Sequence, residues 1–242
     1  MNLIIIRIKK IFFLLSNPKF LKLFFKYKVV PSIEHLDNIK DLEFNNVIDV
    51  GANNGQFALL INSIFPSKKI YLFEPNKECI NNLEAIFYLK KNIYKYYFAL
   101  GQKKMIGELY VTKSNDSSSL LRPALIKDLY NSAQHKSSTK INIESGDFLN
   151  NSIILNSLLK IDVQGFELEV LKGFKEKLQK FKYILVELSY IELYEKQALF
   201  DDVDIYLRKM DFTLKEKYNL TKKNNNSIQS DFIYENKKNK IL

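Results

Sequence analysis

The sequence predicts a doubly wound, mostly parallel α/β sheet. Three observations carry this prediction. From Asn46 onward, short apolar runs of strand length alternate with segments whose apolar residues recur at helical spacing. The first run, Val47–Val50, ends at a glycine turn that opens a helix. The last two runs flank a polar tip and pair as a hairpin, which places one antiparallel excursion at the end of the chain.

The elements follow in order. Val47–Val50 reads as a buried strand running into Gly51. Gln56–Phe65 carries Phe57, Leu60, Ile61 and Ile64 at helical period and stops near Pro66. Ile70–Phe73 is a second strand, and Pro75-Asn76 opens a helix expected to run to about Lys91. Tyr94–Leu100 is a third strand, and the alternating Glu108–Thr112 an extra one. Residues 113–140 are polar and Ser-rich, the pattern of a mobile loop or lid. Leu158–Val163 is a strand, Glu167–Gly173 a helix start, Tyr183–Leu188 a strand and Asp201–Lys209 a short helix. Phe212–Tyr218 and Asp231–Tyr234 close a hairpin around Lys222–Asn226.

Composition narrows the class. A chain of 242 residues with 46% hydrophobic content suits one large domain, or a domain with a short extension. The single Cys79 excludes a disulfide framework or a Cys-rich zinc site, and with only His35 and His135 no metal centre is expected. The formal charge of +10 favours anionic partners such as membrane headgroups, nucleic acid or phosphorylated substrates. The preference for Lys over Arg and the abundance of Asn and Ile read as AT-rich coding, which weakens that inference.

The charge is distinctive at the start. Residues 1–28 hold Arg7, Lys9, Lys10, Lys19, Lys22, Lys26 and Lys28 and no acid. Their apolar runs are far below the roughly 18 residues that span a bilayer, and no signal-peptide pattern is present. One reading is a helix or pair of helices packed on the domain. The other is an amphipathic element resting on an anionic membrane. Either gives a basic N-terminal helical extension over residues 1–30, a main domain over 31–242, and a cytoplasmic location, peripheral to the membrane on the second reading.

Two motifs carry chemistry. In Val47-Ile48-Asp49-Val50-Gly51-Ala52-Asn53-Asn54-Gly55 a strand enters a glycine turn and then a helix, where α/β sheets bind nucleotides. The spacing G-x-x-x-G fits a dinucleotide pyrophosphate poorly, and Asp49 before the turn suits a cationic ligand. Glu74 stands 19 positions after Gly55 at the tip of the second strand, placed to accept both hydroxyls of an adenosine ribose.

Together these motifs resemble class I S-adenosylmethionine-dependent methyltransferases. A third, Leu159-Lys160-Ile161-Asp162-Val163-Gln164-Gly165-Phe166-Glu167-Leu168-Glu169-Val170-Leu171-Lys172-Gly173, is similar to the strand-four motif of the FkbM type, which often has Glu where Gln164 stands. Ala99-Leu100-Gly101, Ser117–Leu121 and Ile184–Glu187 add family-like pieces. The resemblance implies a Rossmann-like sheet of seven strands, S-adenosylmethionine as cofactor, and methyl transfer to an oxygen of a sugar or small molecule. It implies cofactor contacts at Asp49, Gly51, Asn53 and Gly55 on the methionine side and at Glu74 on the ribose, with Gln102 a candidate for the adenine.

Asp162 and Glu187 end strands four and five, whose carboxyl ends face the ligand crevice. Asp162 is the first choice to orient the acceptor or act as base, or it holds the sulfonium electrostatically; Glu187 is the second. The expected acceptor is a sugar hydroxyl of a bacterial surface polysaccharide or its precursor. The rivals are a methyltransferase of RNA or another metabolite, a non-catalytic cofactor-binding module and, more weakly, a nicotinamide-dependent reductase. The sequence lacks the Pro-Pro-aromatic tetrapeptide of amino-methylating enzymes, and nucleic acid is not expected as a partner.

Overall fold

The computed structural model describes residues 3–240, except the side chains of residues 3–7, 9, 239 and 240. The side chains of Arg7 and Lys9 in the basic segment, and the extreme ends of both predicted domains, therefore fall outside what is described.

In chain order the strands are β1 (Val47–Val50), β2 (Ile70–Phe73), β3 (Ile93–Tyr96), β4 (Ala99–Gly101), β5 (Met105–Thr112), β6 (His135–Ser145), β7 (Leu158–Ile161), β8 (Tyr183–Ser189), β9 (Phe212–Lys223) and β10 (Asn226–Asn236). The helices are α1 (Leu3–Leu15), α2 (Pro18–Tyr27), α3 (Leu36–Ile39), α4 (Gln56–Ile64), α5 (Lys77–Ile86), α6 (Ile126–Leu129), α7 (Asn151–Ile154), α8 (Glu167–Phe174) and α9 (Phe200–Lys209). Seven strands form the main sheet in the order β3-β2-β1-β7-β8-β10-β9. β1, β2, β3, β7 and β8 are parallel, and β10 runs antiparallel between β8 and β9. This is the expected doubly wound sheet with its antiparallel last strand.

A second sheet, β4-β6-β5, departs from expectation. Tyr94–Leu100 is not one strand. β3 ends at Tyr96 in the main sheet, and β4 pairs parallel with β6 in the small one. Residues 135–140 are not loop but the first half of β6, which is antiparallel to β5. The helix expected from Pro75 begins later. Asn76 caps it by accepting the Glu78 N–H at 3.0 Å, and it stops at Ile86, not Lys91.

Alternate strand residues serve opposite faces of the main sheet. Val47, Ile70, Leu72, Leu158, Leu185 and Ile233 pack with Leu60 and Ile61 of α4 and with Leu14 and Phe20 of α1 and α2. Ile48, Val50, Leu159, Ile161, Val186 and Phe232 pack with Val170 and Phe174 of α8 and Val203 and Leu207 of α9. The two N-terminal helices thus share a core with β1. The same alternation sends Asp49, Lys160, Glu187 and Asp231 to the face these helices cover.

Candidate active site

A cleft of about 820 Å³ opens at the carboxyl ends of β1, β2, β7 and β8. Its floor is the turn after β1. Gly51 has φ +76°, and a Cβ there would lie 1.9 Å from the Asp162 carbonyl oxygen, so only glycine lets the ends of β1 and β7 meet this closely. Gly55, at φ +83°, serves packing instead: a Cβ there would meet the Phe87 ring at 2.6 Å.

Glu74 closes the floor from β2. Its Oε2 accepts the Asn53 N–H and its Oε1 the Asn76 N–H, each at 2.7 Å. Burial pushes the Glu74 carboxyl up to about 7, against the pull of those two N–H donors. Each oxygen keeps a free lone pair, which is the requirement for taking a ribose hydroxyl.

Asp49 is fully buried under the turn and is not part of the cleft wall. Its register partner on β7 is Lys160, whose ammonium lies 3.0 Å from Asp49 Oδ1 and 3.8 Å from Asp162 Oδ2, and donates to the Gly51 carbonyl at 2.9 Å. Burial opposes the lysine charge, but Asp49 and Asp162 outweigh it and hold the ammonium above its usual range.

The other end of the cleft is a row of acids. Asp162 is 40% open at its side chain, whereas Glu187 and Asp231 are largely covered. Gln164 joins the first two: its amide nitrogen donates to Asp162 Oδ1 at 2.8 Å and to Glu187 Oε2 at 3.1 Å. Gln229 donates to Glu187 Oε1 at 2.6 Å, and Asn219 to Asp231 Oδ2 at 2.7 Å. Burial pushes Glu187 well above its ordinary range, and the neighbouring charges of Asp162 and Asp231 push it further. His35 lies 2.9 Å from the Tyr218 hydroxyl, and burial lowers its imidazole to about 3, so it is neutral there. Lys10 and Glu34 complete this wall from the N-terminal segment.

Residues 113–134 cover the cleft and are tied to its floor. Asp116 Oδ1 accepts from the Asn53 amide at 2.6 Å, Asn76 donates to Asn115 at 3.2 Å, and Ser119 donates to the Gln164 carbonyl at 2.6 Å. This part of the expected loop or lid thus forms a roof bonded to the floor. His135 lies at its far end on β6, exposed and bonded to Ser138.

Of the residues singled out from sequence, Gly51, Asn53, Glu74, Asp162 and Glu187 line one cleft. Asp49 and Gly55 support it from beneath. Gln102 is exposed and outside the cleft lining, and the carbonyl of Gly101 before it packs closely on Gly173. Sequence reasoning missed Lys160, Asp231 and the bridging role of Gln164. A lysine inside a buried strand was the available signal for the first.

The chain matches the methyltransferase FkbM domain over residues 49–214, from Asp49 on β1 to Leu214 on β9 and well over half of its length. This chain belongs to the FkbM methyltransferase family. No curated protein sequence matches it. Among solved structures, TehB from Haemophilus influenzae is similar at 12% identity and a TM-score of 0.49, over 88% of this chain and 65% of that one, slightly under two thirds of its length. Magnesium protoporphyrin IX methyltransferase from Synechocystis PCC 6803, with bound S-adenosylmethionine, matches at 9% identity and 0.47, over 83% of this chain and 74% of that one. Precorrin-6y C5,15-methyltransferase from Geobacter metallireducens GS-15 matches at 9% identity and 0.45, over 84% and 86%.

The cofactor of this FkbM domain is S-adenosylmethionine, and the cleft suits it. Glu74 would accept the ribose hydroxyls, the Gly51 turn leaves the backbone uncovered, and the acids around Lys160 would favour a cationic ligand. When bound, the cofactor supplies a methyl group on positively charged sulfur.

Proposed function

We propose that this FkbM protein methylates a hydroxyl of a sugar, in a surface polysaccharide or its lipid- or nucleotide-linked precursor. The observation that supports this is the row Asp162, Glu187 and Asp231, flanked by the amides of Gln164, Gln229 and Asn219, at the end of the cleft away from Glu74. Such a wall offers donors and acceptors to several hydroxyls at once. An alcohol is a weak nucleophile until its proton is leaving. Asp162, open to the cleft, orients the hydroxyl. Glu187, whose proton affinity burial raises, takes the proton. Gln164 keeps the two carboxyls in fixed relation, so the acceptor meets one geometry.

The test offers purified protein methyl-labelled S-adenosylmethionine with nucleotide-linked and lipid-linked sugars and, in parallel, cellular RNA. Label in a sugar, lost in Asp162→Asn, supports the proposal. Label confined to RNA overturns it in favour of a nucleic-acid enzyme. Normal cofactor binding with no label in either overturns it in favour of a binding module.

A further inference from the structure

The two sides of α1 face different surroundings. On the inner side, Leu14 is in the core with Phe13 against it, and Lys10 lines the cleft and pairs with Glu34 at 3.0 Å. On the outer side, Ile8, Ile11, Phe12 and Leu15 repeat at helical spacing as one stripe, with Phe12 69% and Leu15 63% exposed. A stripe of large apolar side chains left in water marks a contact surface. On α2, Phe25 is 67% exposed, and beside it Lys19, Lys22 and Lys26 recur at intervals of three and four residues on an exposed face.

Charge selects the occupant. Residues 3–28 contain seven basic residues and no acid. A second copy docking by this face would bring the same charge against itself, whereas an anionic lipid surface complements it and receives the apolar stripe between its headgroups. We propose that the outer face of α1 and the lysine row of α2 dock on an anionic bilayer. No described helix is long and apolar enough to cross a membrane, and a helix of this kind lies in the plane of the interface. Lys10 on the opposite side of the same helix belongs to the cleft wall, so docking sets that wall one helix diameter, about 10 Å, from the headgroups. That deepens the acceptor reading toward a lipid-linked sugar, although vesicle binding itself does not depend on methyl transfer.

Truncation is a poor test, because Leu14 and Phe20 belong to the core. The full chain is instead floated with phosphatidylcholine vesicles with and without phosphatidylglycerol. The wild type should float with the anionic vesicles only, and added salt should weaken this. Phe12→Ser/Leu15→Ser and, separately, Lys19→Glu/Lys22→Glu should each reduce binding about tenfold, with melting curves confirming that both variants fold. The proposal fails if wild type does not float, floats equally with neutral vesicles, or floats unchanged in either folded variant. It also fails if light scattering shows a dimer that Phe12→Ser/Leu15→Ser dissociates while the wild type ignores vesicles; that result makes the face a self-contact.

Discussion

Asp231 lies directly opposite Glu187 in the antiparallel register of β10 and β8. Both side chains project to the same face, and two buried carboxylates so placed do not both ionise readily. Burial pushes Asp231 up to about 7, opposed by the Asn219 amide and reinforced by Asp162. The pair therefore shares its protons and titrates as a unit.

If Glu187 receives the acceptor proton, turnover should rise with pH as the pair ionises. Asp231→Asn removes the facing charge and lowers the proton affinity of Glu187. Its rising limb should move to lower pH by about one unit. A pH profile of kcat/KM for both proteins checks this; superimposed limbs would detach Asp231 from the reaction.

Glu74 should make cofactor affinity and apoprotein stability respond to pH in opposite directions. Glu74, Glu167 and Asp231 are all raised by burial to about 7, so in each the neutral form suits the fold. Their contribution is fully present below the unfolded carboxyl values and is lost as pH rises through the folded ones. The melting temperature without cofactor should fall between about pH 5 and 8. Cofactor affinity should climb over the same range, because ionised Glu74 is the better acceptor of ribose hydroxyls. Glu74→Gln should flatten the climb and weaken binding about tenfold, since an amide NH₂ must face one of the two N–H donors that Glu74 accepts. Calorimetric titration at several pH values, with thermal melts, measures both slopes.

Lys160 neutralises Asp49, a buried carboxylate with no other charge partner among the described residues. Lys160→Met should destabilise the protein by about 3–5 kcal/mol in urea unfolding, because Asp49 remains buried. Asp49→Leu/Lys160→Met should recover most of that loss. The double variant should still bind cofactor more weakly, because the Lys160 bond to the Gly51 carbonyl is gone.

At Gln164, replacement by Glu exchanges a donor shared by two carboxylates for a third carboxylate. Proton affinity across the row should rise, and the pH optimum should move to more alkaline values by about one unit. Gln164→Leu, which removes the donor but adds no charge, should move the optimum less and lower kcat. Rate–pH profiles of the two variants separate charge from geometry.

The legible parts of the fold were those where burial writes a pattern. β1, β2, β7 and β8 are apolar runs because both faces of the main sheet are covered. β6 was not legible. It is polar from His135 to Lys140, Ile143 is its one buried apolar residue, and backbone pairing with β5 rather than burial holds it. The break after Tyr96 was hidden because β3 and β4 continue one extended stretch into different sheets. Within the site, Asp162 was readable as the residue at a strand end, whereas Glu187 sits two residues before β8 ends at Ser189. Lys160 and Asp231 were not readable, because their meaning lies in register: Lys160 beside Asp49, Asp231 beside Glu187. The place of Gln102 outside the cleft lining was hidden for a related reason, since position after a strand does not say which way a side chain faces.

Asn53 touches both halves of the binding problem. Its backbone N–H fixes Glu74 from below, and its side chain grips Asp116 in the roof. Displacing either partner strains the other through a single residue already in the left-handed region at φ +48°. Any movement of the roof is therefore passed to the carboxylate beneath it through one asparagine.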